Sequence, residues 1–209
     1  RLYWPSSPGH SIYPPLEDQI YGSGDNHYWG VWHGGDDISA FEQNTGRFLS
    51  EYGMQSFPEM KTIMKFACGQ DLSTDSDVMK ARQKASLGTK NLIKYIEDYF
   101  SPKPDFESIV VLSQIMQAYA IKTAVEAHRR KMPFCMGTLY WQFNDCWPAI
   151  SWSSVDYFGN WKALHHHAKR FYSSLVIIIH EDENFIYVTV VNDQHKSVDG
   201  IVNFRLITF

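Results

Sequence analysis

The chain has 209 residues and a net charge of −4, with charges of both signs dispersed along it, so no basic surface for nucleic acid or for a membrane is indicated. No apolar run reaches the roughly 18 residues that a bilayer-spanning segment needs. The aromatic content is high, with 7 Trp and 12 Tyr, and such rings pack in cores or line sites that are partly apolar and partly wet.

The three cysteines, Cys68, Cys135 and Cys146, do not have the spacing of metal ligands. Their odd number argues against a disulfide framework, and we expect them to be buried as small apolar residues. The chain opens at Arg1 in the middle of a pattern and has no initiator Met. We therefore expect a piece of a longer protein, for which missing targeting signals carry no information.

The N-terminal residues alternate between short apolar stretches and a long polar one. Residues 1–5 are predicted to end a strand, and residues 6–24 to form a loop rich in Pro, Gly and Ser. Loops of that length inside a compact domain are commonly functional. An aromatic strand is predicted at residues 27–35, ending in two glycines and two aspartates.

A short helix and a second strand follow. Asp36 or Asp37 can cap a helix from Ile38 to about Gln43, and residues 48–52 suit a buried strand. Strand, helix and strand within about 25 residues indicate a βαβ unit with parallel strands.

Glu51 lies at the C-terminal end of this second strand, before a helix whose first turn carries Pro58 and Glu59. No Lys or Arg lies within three residues on either side of it. The pattern by itself leaves two interpretations open: a solvated loop glutamate, or a carboxylate with a chemical role.

Residues beyond Pro58 are predominantly helical in pattern. Met60, Ile63 and Met64 are predicted to share a face, residues 90–100 form an amphipathic helix, and residues 101–104 break the chain. One long helix then reaches to about Arg130. Its wide apolar stripe consists of Phe106, Ile109, Val110, Leu112, Ile115, Met116 and Tyr119.

Arg129, Arg130 and Lys131 end this helix, where cations complement the helix dipole. The sequence favours a solvated helix end over a nucleic-acid patch. Residues 136–143 are predicted to be another strand, buried on both faces.

The C-terminal part begins with a loop over residues 151–160 and a helix over residues 161–172. His165, His166 and His167 are consecutive, so on a helix they point about 100° apart and cannot converge on one metal ion. The period then switches to two, which predicts strands at residues 175–179, 185–191 and 200–208 in an antiparallel sheet. A domain boundary is therefore expected near Ser173.

Parallel strands separated by helices, with polar and aromatic residues at the strand ends, suit the C-terminal face of a (β/α)8 barrel. A complete barrel takes about 250 residues, so this chain supplies roughly its second half. The fold class is thus predicted to be α/β: the C-terminal half of a (β/α)8 TIM barrel over residues 1–172, followed by the first strands of an Ig-like β-sandwich over residues 173–209.

Three segments give a more specific signal: Ser50 to Pro58 (SEYGMQSFP), Gly137 to Pro148 (GTLYWQFNDCWP) and Ser151 to Gly159 (SWSSVDYFG). In this order they closely resemble the β-mannosidases of glycoside hydrolase family 2, over about residues 1–172. The resemblance implies that Glu51 is the catalytic nucleophile at the end of barrel strand seven. It also implies that Trp141, at the end of strand eight, packs against the sugar in the reacting subsite.

The chemistry that the resemblance implies is retaining glycoside hydrolysis of terminal β-D-mannosyl residues, with a β-mannoside or manno-oligosaccharide as substrate and no metal or organic cofactor. Such enzymes use two carboxyl groups about 5 to 5.5 Å apart. Further substrate contacts are expected from Gln142, Asn144 and Asp145, which can bind hydroxyls. For Trp29, Trp32 and His33, sugar contact and ordinary core packing both remain open.

The chain departs from the family in one respect. The family's acid/base is a Glu directly after an Asn at the end of strand four, and this sequence has no Asn-Glu pair. We therefore expect the fragment to be inactive alone and to need the upstream half of the same polypeptide's barrel as its partner, with no nucleic acid or membrane partner.

Two kinds of alternative remain. Another family 2 glycosidase, a β-galactosidase or a β-glucuronidase, would share the nucleophile and the barrel. The glucuronidase is disfavoured because only Arg47 and Lys162 lie near the motifs to pair with a uronate. A non-catalytic carbohydrate-binding module, with its aromatic residues as a platform, is the alternative from a different class.

Overall fold

The computed structural model describes residues 6–8, 10–11, 24–101, 105–182, 184–205 and 207. The predictions for residues 1–5 and for the chain break at residues 102–104 lie outside the described residues. The strands are β1 (His10–Ser11), β2 (Asn26–His27), β3 (Leu49–Glu51), β4 (Leu175–Glu181) and β5 (Ile186–Asn192). The α-helices are α1 (Met60–Ile63), α2 (Asp77–Arg82), α3 (Gly88–Tyr99), α4 (Phe106–Arg130) and α5 (Ala163–Phe171), with short 3₁₀ helices at Ile38–Glu42 and Gly69–Asp71.

The first three strands form a parallel sheet in the order β1, β2, β3. Residues 137–139 continue it on the far side of β3: Leu49 N–H donates to Gly137 O at 2.9 Å, and Leu139 N–H donates to Leu49 O at 2.8 Å. The parallel arrangement predicted from the βαβ spacing is therefore confirmed. The 3₁₀ helix between β2 and β3 begins as expected at Asp37, whose side chain accepts from Ser39 N–H at 2.8 Å.

Three predicted segments differ from the structure. β1 lies inside the predicted loop 6–24, and β2 ends at His27 instead of continuing to residue 35. Residues 136–143 are not buried on both faces, since Met136 and Phe143 are each more than 60 % exposed. In the part of the chain that the structure describes, residues 137–139 pair with β3, while Gln142 and Phe143 make backbone hydrogen bonds with residues 152–155.

The chain turns sharply after β2 because Gly30–Gly34 form a tight turn with non-helical backbone at Val31 and Trp32. Trp32 has φ of 82° and ψ of −69°, the strained γ-turn conformation. Two side chains of α3 hold it there: Trp32 N–H donates to the Tyr95 hydroxyl at 3.0 Å, and Asn91 Nδ2 donates to Trp32 O at 2.8 Å.

The core lies between the parallel sheet and α4, which also contacts α3, α5 and the 3₁₀ helix Ile38–Glu42. By length and composition α4 is the one helix among the described residues that could cross a bilayer, yet 56% of that window is buried in the protein. Ile115 and Tyr119 of its predicted stripe are nearly half exposed. The face that Met60, Ile63 and Met64 were predicted to share is also only partly buried. Ile63 is buried, whereas Met64, which follows the last residue of α1, is exposed.

The cationic end of α4 is not solvated as predicted. Arg129 is buried and donates to Phe171 O, to Ser173 O at 2.9 Å and to Asp193 Oδ2 at 2.7 Å. Arg130 pairs with Glu42, and Lys131 Nζ donates to Glu42 O at 2.6 Å. These residues connect the helix to its neighbours, because the Arg guanidinium and the Lys ammonium each carry several donors and can bind more than one oxygen.

β4 and β5 form an antiparallel hairpin, as the period-two pattern predicts, with Ile177 opposite Val190 and Ile179 opposite Val188. These four side chains lie on one face and are 37 to 58 % exposed. The described residues from 200 to 207 form no strand, which corrects the expected third one. The cysteine prediction was right only for Cys135, since Cys68 and Cys146 are exposed.

Candidate active site

Glu51 is the last residue of β3, at the carboxyl end of the parallel sheet, and its side chain is about a quarter exposed. Its backbone carbonyl accepts from Tyr28 N–H at 2.9 Å, which fixes the end of β3 against the residue after β2. His27 lies directly opposite Glu51 in the register of these two strands. The parallel pairing therefore brings the residues around the end of β2 to the carboxylate.

Two side chains approach the carboxylate, and both reach the same oxygen. Trp29 Nε1–H donates to Glu51 Oε1 at 2.9 Å, and His27 Nδ1 lies 3.5 Å from Oε1. Among the described residues no hydrogen bond or ion pair involves Oε2, so that oxygen remains available to a ligand. The carboxylate is thus oriented by one of its oxygens and open at the other.

An aromatic wall adjoins the carboxylate and consists of Trp29, His33 and Trp152. The Trp29 ring centroid lies 4.9 Å from that of His33 and 6.2 Å from that of Trp152. Desolvation lowers the pKa of His33, which favours its neutral form. A wall of this kind offers apolar ring faces beside a polar group. Sites for small ligands commonly combine these two kinds of surface.

Trp32, also a candidate sugar contact, is fully buried and stacks on Tyr95 with ring centroids 6.3 Å apart. The structure therefore favours the core-packing alternative for this residue. Its ring lies behind the wall, 6.3 Å from Trp152. Trp29, in contrast, donates a hydrogen bond to the Glu51 carboxylate, a contact that core packing does not require.

Trp141 is 45% exposed and follows the segment that pairs with β3. Its N–H donates to Tyr52 O at 2.8 Å, and its peptide bond to Gln142 is cis. Gly53 lies against it so closely that a Cβ there would be 2.4 Å from Trp141 O and 3.0 Å from Trp152 Cδ1. The glycine thus allows the residues after Glu51 to pack directly on both tryptophans.

The polar candidates after Trp141 bind mainly one another. Gln142 Nε2 donates to Asn144 O at 2.7 Å and is 3.3 Å from Asp145 Oδ1. Asp145 Oδ2 accepts from Ser151 Oγ at 2.9 Å and from Ser153 Oγ at 2.6 Å. In this structure Asp145 therefore holds the loop that carries Trp152, while the Asn144 side chain is exposed.

Two buried polar residues support the site: Gln117 of α4, which the sequence reasoning missed, and Lys162, whose buried position it did not predict. Gln117 Nε2 donates to Met54 O at 2.9 Å and to Trp152 O at 3.0 Å, so it joins the loop after Glu51 to the aromatic wall. A glutamine inside the apolar stretch of a core helix is the signal that could have identified it.

Lys162 Nζ is fully buried and donates to Ser56 O at 3.3 Å and Ser151 O at 3.2 Å. Burial lowers its pKa to about 8, against the opposing effect of Asp145 and Asp156. Because it is buried and bound to backbone, it is unavailable to a uronate. Arg47, the other cation near the motifs, is exposed and lies over the Phe134 ring.

His165, His166 and His167 do not converge: His165 Nδ1 lies 3.1 Å from Ser154 Oγ, while His166 is exposed. No group of three or more His, Cys, Asp or Glu within the described ranges is placed to hold a metal ion.

Comparison with known proteins places this geometry in context. The chain is 35% identical over 196 residues to a β-mannosidase of Rattus norvegicus, a match that covers 88% of this chain and 22% of the relative. It is 37% identical over 173 residues to the β-mannosidase of Mus musculus, covering 77% of this chain and 20% of the relative. The chain thus spans about a fifth of the length of the curated relatives it matches. No family model matches it.

Solved structures give a consistent result. The crystal structure of a β-D-mannosidase from Dictyoglomus thermophilum matches 81% of this chain and 21% of its own, with a TM-score of 0.78 and 38% identity. An exo-chitosanase from Amycolatopsis orientalis matches 70% of this chain and 19% of its own, with a TM-score of 0.59 and 20% identity, and this match bears on the fold alone.

Proposed function

Because this chain is a fragment related to the β-mannosidases of glycoside hydrolase family 2, we propose that its parent protein is a retaining exo-β-mannosidase and that Glu51 is the nucleophile. The single observation that carries the assignment is the Glu51 carboxylate at the carboxyl end of a parallel sheet, oriented through Oε1 by Trp29. Active sites of parallel barrels lie at that end of the strands.

The proposed reaction has two steps. Glu51 Oε2 attacks the anomeric carbon and forms a glycosyl ester, while the bond to the leaving oxygen breaks and that oxygen takes a proton from the acid/base. Water, deprotonated by the same group, then releases the mannose. Because Trp29 occupies Oε1, the carboxylate needs little reorientation to present Oε2.

We place residues 1–172 in the C-terminal half of a (β/α)8 barrel and residues 173–209 in the first strands of an Ig-like β-sandwich. The parallel order of β1, β2, β3 and the segment 137–139 supports the first assignment. The exposed apolar face of the β4–β5 hairpin supports the second, because a sandwich covers such a face with its other sheet.

For the substrate we propose a terminal β-D-mannosyl residue of a β-mannoside or manno-oligosaccharide. The exposed ring of Trp141 is assigned to the C–H side of the pyranose. Trp29 and His33 are assigned to the wall of the site, and Asn144, whose side chain is exposed, is the best placed of the three polar candidates for a hydroxyl contact. Gln142 and Asp145 would have to exchange internal hydrogen bonds for sugar contacts.

The acid/base is assigned to the upstream half of the barrel, since this chain has no Asn-Glu pair. The isolated 209 residues should therefore show no turnover of an aryl β-mannoside. Near-native turnover by this fragment would refute the assignment of the acid/base to the upstream half.

The decisive experiment treats the full-length parent with 2-deoxy-2-fluoro-mannosyl fluoride, whose fluorine slows the second step so that the glycosyl ester accumulates. We expect mass spectrometry of the digest to find the adduct on Glu51. An adduct on another residue would refute the nucleophile assignment, and failure to form any adduct would favour a carbohydrate-binding module.

The sugar is tested separately. The relative kcat/KM of the parent on aryl β-mannoside, β-galactoside and β-glucuronide is expected to favour the mannoside. The burial of Lys162 argues against the glucuronide, because that cation cannot reach a uronate without leaving its two backbone carbonyls. A preference for either of the other glycosides would replace the mannosidase proposal with the corresponding family 2 activity.

A further inference from the structure

His27 stands between the proposed nucleophile and a second carboxylate. Its Nδ1 lies 3.5 Å from Glu51 Oε1, and its Nε2 lies 3.3 Å from Ser7 Oγ. The side chains of His27 and Glu51 are largely buried, 17% and 25% exposed. The two residues are direct partners in the β2–β3 register, so the sheet itself holds the ring beside the carboxylate.

Ser7 connects this ring to Asp25. Ser7 Oγ donates to Asp25 Oδ2 at 2.5 Å, and Ser50, the residue before Glu51, donates to the same oxygen at 2.7 Å. Among the described residues, the charged groups facing His27 are Glu51 of β3, directly, and Asp25, through Ser7.

The contacts of the ring define its position. A hydroxyl has one proton, and Ser7 gives its proton to Asp25, so Ser7 Oγ faces His27 Nε2 as an acceptor. His27 Nδ1 faces the Glu51 oxygen that also accepts from Trp29. The ring therefore bridges Ser7 and the carboxylate, with one nitrogen towards each.

We infer that His27 is a positioning residue for the proposed nucleophile: its ring, held at Nε2 by Ser7, lies against Glu51 Oε1 and so leaves Oε2 as the attacking oxygen. This inference rests on the proposed function of Glu51.

The test uses the full-length parent and the rate of its inactivation by 2-deoxy-2-fluoro-mannosyl fluoride. In this step the bond from Glu51 Oε2 to the anomeric carbon forms as fluoride leaves with its electron pair, so little acid assistance is needed. The variants are His27→Ala, His27→Asn, whose amide nitrogen reaches the position of Nδ1, and His27→Gln, whose amide nitrogen reaches that of Nε2.

For His27→Ala we expect the same Glu51 adduct to form at least about tenfold more slowly, because the carboxylate loses the ring that lies against Oε1. His27→Asn should recover most of the rate and His27→Gln little of it.

An unchanged rate in His27→Ala would overturn the inference. Equal losses in the Asn and Gln variants, in proportion to a lowered melting temperature, would also overturn it, since they would indicate a structural role only. Absence of an adduct on Glu51 in the wild-type protein is a different result, because it refutes the nucleophile assignment itself.

Discussion

The indole Nε1 of Trp29 lies 2.9 Å from Oε1 of Glu51, although the two residues are 22 positions apart in the chain. β2 and β3 are parallel neighbours, so the ends of both strands meet at one edge of the sheet. The turn that follows β2 then directs Trp29 towards the carboxylate and Trp32 into the core.

Trp29→Phe is expected to lower kcat/KM of the parent on an aryl β-mannoside by roughly 10- to 100-fold, because it removes a hydrogen bond to a charged group while retaining an aromatic ring. The control is Trp32→Phe, which makes the same chemical change at a buried indole whose Nε1 has no partner among the described residues. The control should affect the melting temperature and leave kcat/KM nearly unchanged. Equal kinetic losses in both variants would contradict a specific role for Trp29.

Gly53→Ala is expected to lower kcat/KM by at least about tenfold, because displacement of site residues by an ångström can cost up to about 100-fold. The added Cβ would lie 2.4 Å from Trp141 O, a backbone atom, so the segment carrying Trp141 must move relative to Glu51. Gly200→Ala is the control, since its Cβ would have nothing within 4 Å. Wild-type kinetics in Gly53→Ala would show that the two segments can separate without consequence.

His128 predicts a dependence of stability on acid. Burial lowers its pKa in the folded protein to about 3, from an ordinary 6.5. Between these values the unfolded chain binds more protons, so the free energy of unfolding falls as the pH falls from 6.5 towards 3. His128→Asn should therefore show a shallower decline of melting temperature between pH 7 and pH 4 than the wild-type parent.

The control for His128 is His166→Asn, which changes an exposed histidine. Its pH profile should match that of the wild-type protein. If His128→Asn follows the same profile as well, acid sensitivity does not arise from burial of His128. The two variants should be compared by thermal scans in buffers of one ionic strength, so that screening stays constant.

Lys162 predicts that stability depends on pH in the alkaline range as well. Its folded pKa of about 8 lies below the ordinary 10.5, so the wild-type free energy of unfolding should rise from pH 8 to 10.5 as the unfolded chain retains the proton longer. Lys162→Met lacks this titration and leaves two backbone carbonyls without their donor. We expect its melting temperature to be lower at pH 7 and the deficit to widen up to pH 10.

Lys169→Met, an exposed position on α5, provides the matched control and should behave like the wild-type protein in thermal scans. A Lys162→Met deficit that stays constant from pH 7 to 10 would contradict the lowered pKa. An absent deficit would contradict the structural role of its two carbonyl contacts.

Much of the architecture was predictable from local patterns. The βαβ spacing predicted parallel strands, Asp37 caps the 3₁₀ helix as expected, and the period-two residues after Ser173 form the β4–β5 hairpin. These features depend on interactions within a few residues, or on a periodic burial that the sequence itself displays.

The errors have a common cause. Arg129, Arg130 and Lys131 have the sequence pattern of a solvated helix end, yet they bind Phe171, Ser173, Asp193, Glu42 and Thr45. The segment 136–143 is apolar in composition, yet Met136 and Phe143 are exposed, and its backbone partners lie in β3 and in residues 152–155. Partners distant in sequence decide both cases, and no local pattern contains them.

The sequence by itself determined that Glu51 ends a strand, that Trp141 follows the neighbouring one, and that the chain resembles one family, because these depend on residue order. Only the tertiary structure decided that Trp29 and His27 share Oε1 of Glu51 and that Trp32 lies in the core. Trp29 and Trp32 are three residues apart and chemically identical, so composition cannot distinguish them. A turn held by Tyr95 and Asn91, more than 50 residues away, gives them different positions.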